Sequence, residues 1–171
     1  MTNCDYNKKG RFNIDGEWFK FGRKQGIDYA ESEKLVAPEI SLGGNFSYDV
    51  KGQYYSTTTI YGYVKKKETT TSYKTLMAIL NSQIMWWYLV NTGTILSNGY
   101  FRFKPNYLNA FPLPNITSKD EEILESLVNK VIDFKKENRT EVTKQIEQEI
   151  DNYILNMYNL TKEEKSLIFS L

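Results

Sequence analysis

Residues 76–114 read LMAILNSQIMWWYLVNTGTILSNGYFRFKPNYLNAFPLP, and this stretch decides the fold. Leu76, Met77, Leu80, Ile84, Trp87 and Tyr88 recur at three- and four-residue spacing, the period of a helix with one apolar face. The spacing predicts a helix from Tyr73, opened by Ser72 or a neighbouring Thr and closed by Gly93, with Asn81-Ser82 as the point where it can split. Tyr100-Phe101-Arg102-Phe103 then alternates rings with a cation, as a strand does. Beyond it Pro105, Pro112 and Pro114 forbid regular structure and mark the end of a first domain.

Working outward, the upstream residues read as strands. Trp18-Phe19-Lys20-Phe21, Lys34-Leu35-Val36 and Phe46 to Asp49 are short candidates, separated by Gly22, Gly26, Pro38 and Gly43-Gly44. The longest candidate is Tyr54 to Val64, rich in Thr, Tyr and Ile, with Thr58, Ile60 and Gly62 on one face and Thr57, Thr59, Tyr61 and Tyr63 on the other. Downstream of Pro114 three helices are expected. Ser118 with Glu121 forms a capping box before Ile123, Leu124, Leu127, Val131 and Phe134; Thr140 opens a second helix with Val142, Ile146, Ile150, Tyr153 and Met157; Thr161 with Glu164 opens a short third. The fold class is thus α+β: a mainly antiparallel curved sheet packed on a central helix in residues 1–114, followed by a C-terminal helical segment in residues 115–171.

A chain of 171 residues buries one substantial core, and no apolar run approaches the ~20 residues of a membrane span. The start MTNCDYNKKG lacks the apolar stretch of a secretion signal, so a cytoplasmic location is expected, with the chain preferred as part of a longer protein. Cys4 is the only cysteine and histidine is absent. These counts exclude an intrachain disulfide, a Ser-His-Asp triad, a Cys-His nucleophile and thiolate-imidazole zinc sites. Without a secretion signal, the Asn-X-Ser/Thr triplets at Asn45, Asn115, Asn138 and Asn159 are read as chance. The net charge of +1 conceals a division: residues 1–114 hold 14 Lys/Arg against 9 Asp/Glu, and residues 115–171 hold 8 against 12. A basic part beside an acidic one suits a chain of which only one half approaches a polyanion, although ordinary scatter of surface charge also yields it.

In order along the chain, WFKFGRKQGI from Trp18, KLVAPEIS from Lys34, FSYDVKGQYY from Phe46, LMAILNSQIMWWYL from Leu76, YFRFKPNYLNAFPLP from Tyr100 and IDNYILNMYNLTKEEKSLI from Ile150 resemble one known family. It is the TaqI-like C-terminal specificity domain of type II, and particularly type IIG, restriction-modification enzymes. The resemblance implies sequence-specific recognition of double-stranded DNA on behalf of an adenine-modifying methyltransferase, often with an endonuclease, in the same polypeptide or a partner subunit. The catalytic motifs of such a methyltransferase are missing here. An Asn-Pro-Pro-Tyr-type motif and a Gly-rich cofactor loop are absent, and the four prolines are never adjacent. The chain is therefore expected to carry no catalytic residue, cofactor site or metal site. S-adenosylmethionine and magnesium are expected only in the parent enzyme.

The residues expected to meet DNA fall in three groups. Lys65, Lys66 and Lys67 follow the longest strand and suit phosphates, or else a solvated turn. Arg23, Lys24 and Gln25 include the types that read base edges, since Arg bonds guanine twice and Gln bonds adenine twice; a structural role is equally open to them. Arg102 and Lys104 alternate with Phe101 and Phe103, so that one face packs and the other shows cations, unless the Arg stacks internally. Trp86-Trp87-Tyr88, on an apolar helix, is read as core rather than a base-stacking platform. Two other readings belong to different classes. One is a module whose helices at 118–158 pack on a partner chain, as in a specificity subunit. The other is a small metal-dependent nuclease built on Asp15, Glu17 and Lys20, whose spacing is also that of an ordinary solvated hairpin turn.

Overall fold

The structure, a computed structural model, describes residues 26–55, 59–96, 99–102 and 105–170. The Trp18–Phe21 strand, Asp15, Glu17, Lys20, Arg23, Lys24, Gln25 and Lys104 lie outside the described residues. The architecture is α+β, with six strands in two antiparallel sheets among the described residues and a C-terminal helical segment. One sheet has the order β3-β1-β4, from Ser47–Asp49 (β3), Lys34–Pro38 (β1) and Ile60–Tyr63 (β4). The other has the order β2-β6-β5, from Ile40–Ser41 (β2), Phe101–Arg102 (β6) and Thr94–Ile95 (β5). The chain changes sheets at Glu39, whose N–H donates to the Thr59 carbonyl at 2.8 Å.

Register explains which residues enter the core. Tyr48, Leu35 and Tyr63 lie opposite one another across the first sheet, and Ala37 lies opposite Tyr61, so this face carries the rings. It packs on helix α1 (Tyr73–Leu80), where Leu35, Ala37, Phe46 and Tyr73 form a small buried cluster. Asn81 ends α1 and Ser82 opens α2 (Gln83–Thr92), so the helix splits at the dipeptide identified from sequence, and Gly93 closes it. Ser72 is the cap of α1, its side chain accepting the Thr75 N–H. Asn81 also has a second task. Its side chain accepts from Phe46 N–H at 2.7 Å and donates to Phe46 O at 2.9 Å, extending the sheet by one side-chain rung. Gly44 permits this approach, because a Cβ there would lie 2.4 Å from the Leu80 carbonyl oxygen.

After the short helix α3 (Pro105–Asn109) come α4 (Ser118–Lys136), α5 (Thr140–Met157) and α6 (Lys162–Phe169). Their apolar stripes face inward. Leu124, Leu127 and Val128 of α4, Ile146, Ile150 and Ile154 of α5, and Ile168 of α6 share one buried cluster with Ile79, Ile84, Met85 and Leu89. Trp86, Trp87 and Tyr88 pack against this cluster, Trp86 meeting Phe101 edge-on at 5.1 Å between ring centres. No helix among the described residues is long and apolar enough to cross a membrane.

Three local expectations need correction. The strand expected over Tyr54–Val64 is confined, among the described residues, to Ile60–Tyr63. Asp49 withdraws the backbone donors of Gln53 and Tyr54 from sheet pairing, accepting both in its carboxylate at 3.0 and 2.9 Å. The capping box of α4 uses Thr117 and Asp120 rather than Ser118 and Glu121. Glu121 is occupied elsewhere, accepting the Ser72 N–H at 2.7 Å. Finally, Pro105 opens a helix, at the first helical position, where proline's missing N–H costs nothing.

Candidate nucleic-acid interface

The loop between β4 and α1 carries Lys65, Lys66 and Lys67, and its geometry divides them. Lys66 and Lys67 are exposed at a turn closed by the Thr69 N–H donating to Lys66 O at 3.0 Å. Lys65 is half-buried: its ammonium donates to Thr71 O at 2.8 Å and sits 4.8 Å from the centre of the Tyr73 ring. Tyr73 is 7% exposed and stacks on Tyr48. Its hydroxyl accepts the Lys65 N–H at 3.0 Å and donates to Glu33 O at 2.8 Å. The base of this loop is thus tied to the sheet while its tip is solvated.

Arg102 lies in β6 and pairs with Glu39, Nε to Oε1 at 3.1 Å, with its side chain 37% exposed. Its charge is already balanced within the fold. The groove between the β3 side and helices α4 and α5, about 940 Å³, is balanced too: Lys74, Lys135 and Lys136 face Asp133, Glu147 and Asp151. Among the described residues, the Lys66-Lys67 tip is therefore the place where sequence-predicted cations stand exposed side by side, with the exposed Glu68 next to them in the same turn. No three His, Cys, Asp or Glu side chains among the described residues come together as a metal site.

The model of the TaqI-like C-terminal specificity domain matches residues 5–113, well over half of the chain. The chain belongs to this family. Its role is DNA recognition in restriction-modification systems, and a specificity domain of this kind is generally non-catalytic. In this specificity domain the match takes in both sheets, α1, α2 and the lysine loop, and stops one residue short of Pro114.

Sequence reasoning missed two features of the specificity domain that hold its loops. One is Tyr73, read only as the start of a helix. The other is the buried ion pair Lys34–Asp49, Nζ to Oδ2 at 2.8 Å with side chains 5% and 2% exposed. The Lys34 ammonium also donates to Ala30 O at 2.7 Å. Burial pushes the Asp49 carboxyl up, but the Lys34 hydrogen bond, the Tyr54 and Gln53 N–H bonds and the Lys34 charge outweigh it and hold it at about 2. A sequence signal existed, namely opposite charges at the ends of two apolar segments, Lys34-Leu35-Val36-Ala37 and Phe46-Ser47-Tyr48-Asp49. Only the antiparallel register places Lys34 opposite Asp49.

Proposed function

We propose that this chain is the target-recognition part of a type II, in particular type IIG, restriction-modification enzyme that methylates adenine, and that it supplies no catalytic group itself. Membership of the specificity-domain family carries the reading, and the exposed lysine tip on a braced loop supports it. The tip contacts phosphate, adding salt-dependent affinity without sequence information. Arg23 and Gln25 read base edges in the major groove, with Lys24 and Lys104 as flanking cations. The domain holds the duplex so that the target adenine is extruded into a pocket of another domain or subunit, where S-adenosylmethionine and, for cleavage, magnesium act. The enzyme works in the cytoplasm.

A gel shift of the 171-residue chain on duplex DNA, over a salt series with magnesium present, tests this reading. Retardation that weakens with salt and leaves the duplex uncut is expected. Strand cleavage, methyl transfer by this chain alone, or binding indifferent to salt rejects it. Arg23→Ala and Gln25→Ala should each cost about 1–3 kcal/mol on the recognised site and relax the preference at one base pair.

A further inference from the structure

We infer that the three lysines of the β4–α1 loop do two different jobs: Lys66 and Lys67 are the phosphate contacts, while Lys65 and Tyr73 are positioning residues that brace the loop. The inference rests on the proposed contact between this loop and DNA, and it assigns roles within that site. A lysine is useful to a phosphate when its ammonium exchanges water and counterions for the anion. The Lys65 ammonium has already made its exchange, bonded to Thr71 O and held over the Tyr73 ring. Moving it to a phosphate would strip the Thr71 carbonyl of its donor and the ring of its cation.

The brace continues through Tyr73. Its hydroxyl joins the Lys65 backbone to Glu33 O, next to the first strand, and so fixes one end of the loop to the sheet. Glu121 accepts the Ser72 N–H and fixes the other end to α4. Between these anchors stands the Lys66–Thr69 turn, with both of its lysines exposed. A loop fixed in this way pays less ordering entropy when it meets DNA, so the brace contributes affinity without touching the ligand.

The two roles separate in a salt titration. The slope of log K against log salt counts phosphates neutralised, at roughly 0.9 per contact on duplex DNA, whereas bracing changes affinity at every salt concentration alike. Binding of the 171-residue chain to a 30-base-pair duplex is measured from 50 to 200 mM KCl. Lys66→Gln and Lys67→Gln should each flatten the slope by roughly 0.9. Lys65→Met, which keeps an unbranched stem, should weaken binding with the slope unchanged. Tyr73→Phe keeps the ring and loses the hydroxyl, and with it the bonds to both the Lys65 N–H and Glu33 O; it should weaken recognised and unrelated duplexes together by at least about fivefold, the loss for a single hydrogen bond, again with unchanged slope. Thermal melts of each variant show that it is folded at the assay temperature.

A Lys65→Met slope that falls as much as that of Lys66→Gln overturns the division, because Lys65 is then a phosphate contact. Unchanged affinity in folded Tyr73→Phe overturns the brace. If Lys66→Gln/Lys67→Gln keeps the wild-type slope, or the wild-type chain shows none, the DNA-contact reading itself falls and takes this inference with it.

Discussion

Replacing Lys34 by Met strips the cation from an ion pair whose side chains are 5% and 2% exposed, leaving Asp49 with only the Gln53 and Tyr54 N–H donors. Methionine keeps an unbranched stem, so the packing over Gly62 survives and the loss is mainly electrostatic. Removing one member of a buried pair costs about 3–5 kcal/mol, because a charge is left where water cannot reach it. The two remaining donors put this case near the lower end. The carboxyl offers a second route to the size: held at about 2 in the fold, against about 3.9 for an ordinary Asp, it represents roughly 2–3 kcal/mol. Because the folded value lies below the unfolded one, that stability is present from neutral pH down to about pH 4, and is lost as pH falls toward 2. In Lys34→Met, burial acts on Asp49 without the opposing cation and pushes its carboxyl up. The penalty is therefore full at pH 7 and narrows on acidification, as Asp49 in the variant takes a proton that wild type still refuses. Urea unfolding at pH 7, 5 and 4, followed by tryptophan fluorescence, measures this gap. A loss at pH 7 within the ~1 kcal/mol of an exposed pair refutes the argument. So does a larger loss that stays constant down to pH 4.

Leu127→Asp places a charge in the cluster between α4 and α5, where Leu127 is 5% exposed, and should cost several kcal/mol; an unchanged thermal midpoint would show that the seam is open. Gly44→Ala drives a Cβ to 2.4 Å from the Leu80 carbonyl oxygen and 2.8 Å from Asn81 Cα, backbone atoms that yield little, so a loss of about 1–3 kcal/mol is expected in urea unfolding. Asp151→Asn should behave in the opposite sense to the Lys34 variant. Burial pushes the Asp151 carboxyl up, the Gln83 N–H pulls it down, Glu147 adds to the rise, and the net shift is upward. A folded value above the unfolded one means that ionising Asp151 costs the fold stability as pH rises through it. The neutral amide keeps an acceptor for Gln83, so stability at pH 7 should hold or increase, and a clear decrease would refute this sign.

The parts of the fold legible in the sequence are those whose causes are local. Apolar spacing along Leu76 to Tyr88, the break at Asn81-Ser82 and the Thr161–Glu164 capping box all act within a few residues, and all are present in the fold. Pairing is not local. Tyr54 and Tyr55 have the composition of a strand, yet the Asp49 carboxylate, four and five residues from the N–H groups it accepts, turns the chain before them. Nothing in the residues around Glu121 says that its carboxylate is committed to Ser72, 49 positions away. The candidate site divides in the same manner. Lysines at 65–67 mark a basic loop by composition alone, but which ammonium is committed depends on the Tyr73 ring and hydroxyl, placed by the packing of α1 on the sheet. Arg102 was legible as a cation on a strand; its partner Glu39 became visible only through the pairing of Ile40 with Arg102.

Helices α1 and α2 have 8 and 10 residues, short enough to be marginal in isolation, and their first N–H groups require acceptors from elsewhere. The C-terminal segment supplies one for each helix. Glu121 of α4 accepts at Ser72, where the helix dipole favours its negative charge, and Asp151 of α5 accepts from Gln83 at 2.7 Å. Apolar packing runs the same way, since Ile79, Met85 and Leu89 share their cluster with Leu124, Ile154 and Leu155. The family match stops at residue 113, yet some of the residues that hold α1 in place, Glu121 and Leu124 among them, lie beyond it. The lysine loop ends on Ser72, the residue that Glu121 grips, so the placement of the proposed phosphate contact depends on α4 as directly as on the sheet. The acidic C-terminal segment thereby bears on the proposed contact through position, with Glu121 and Asp151 turned to helix ends and Lys135 paired with Glu147.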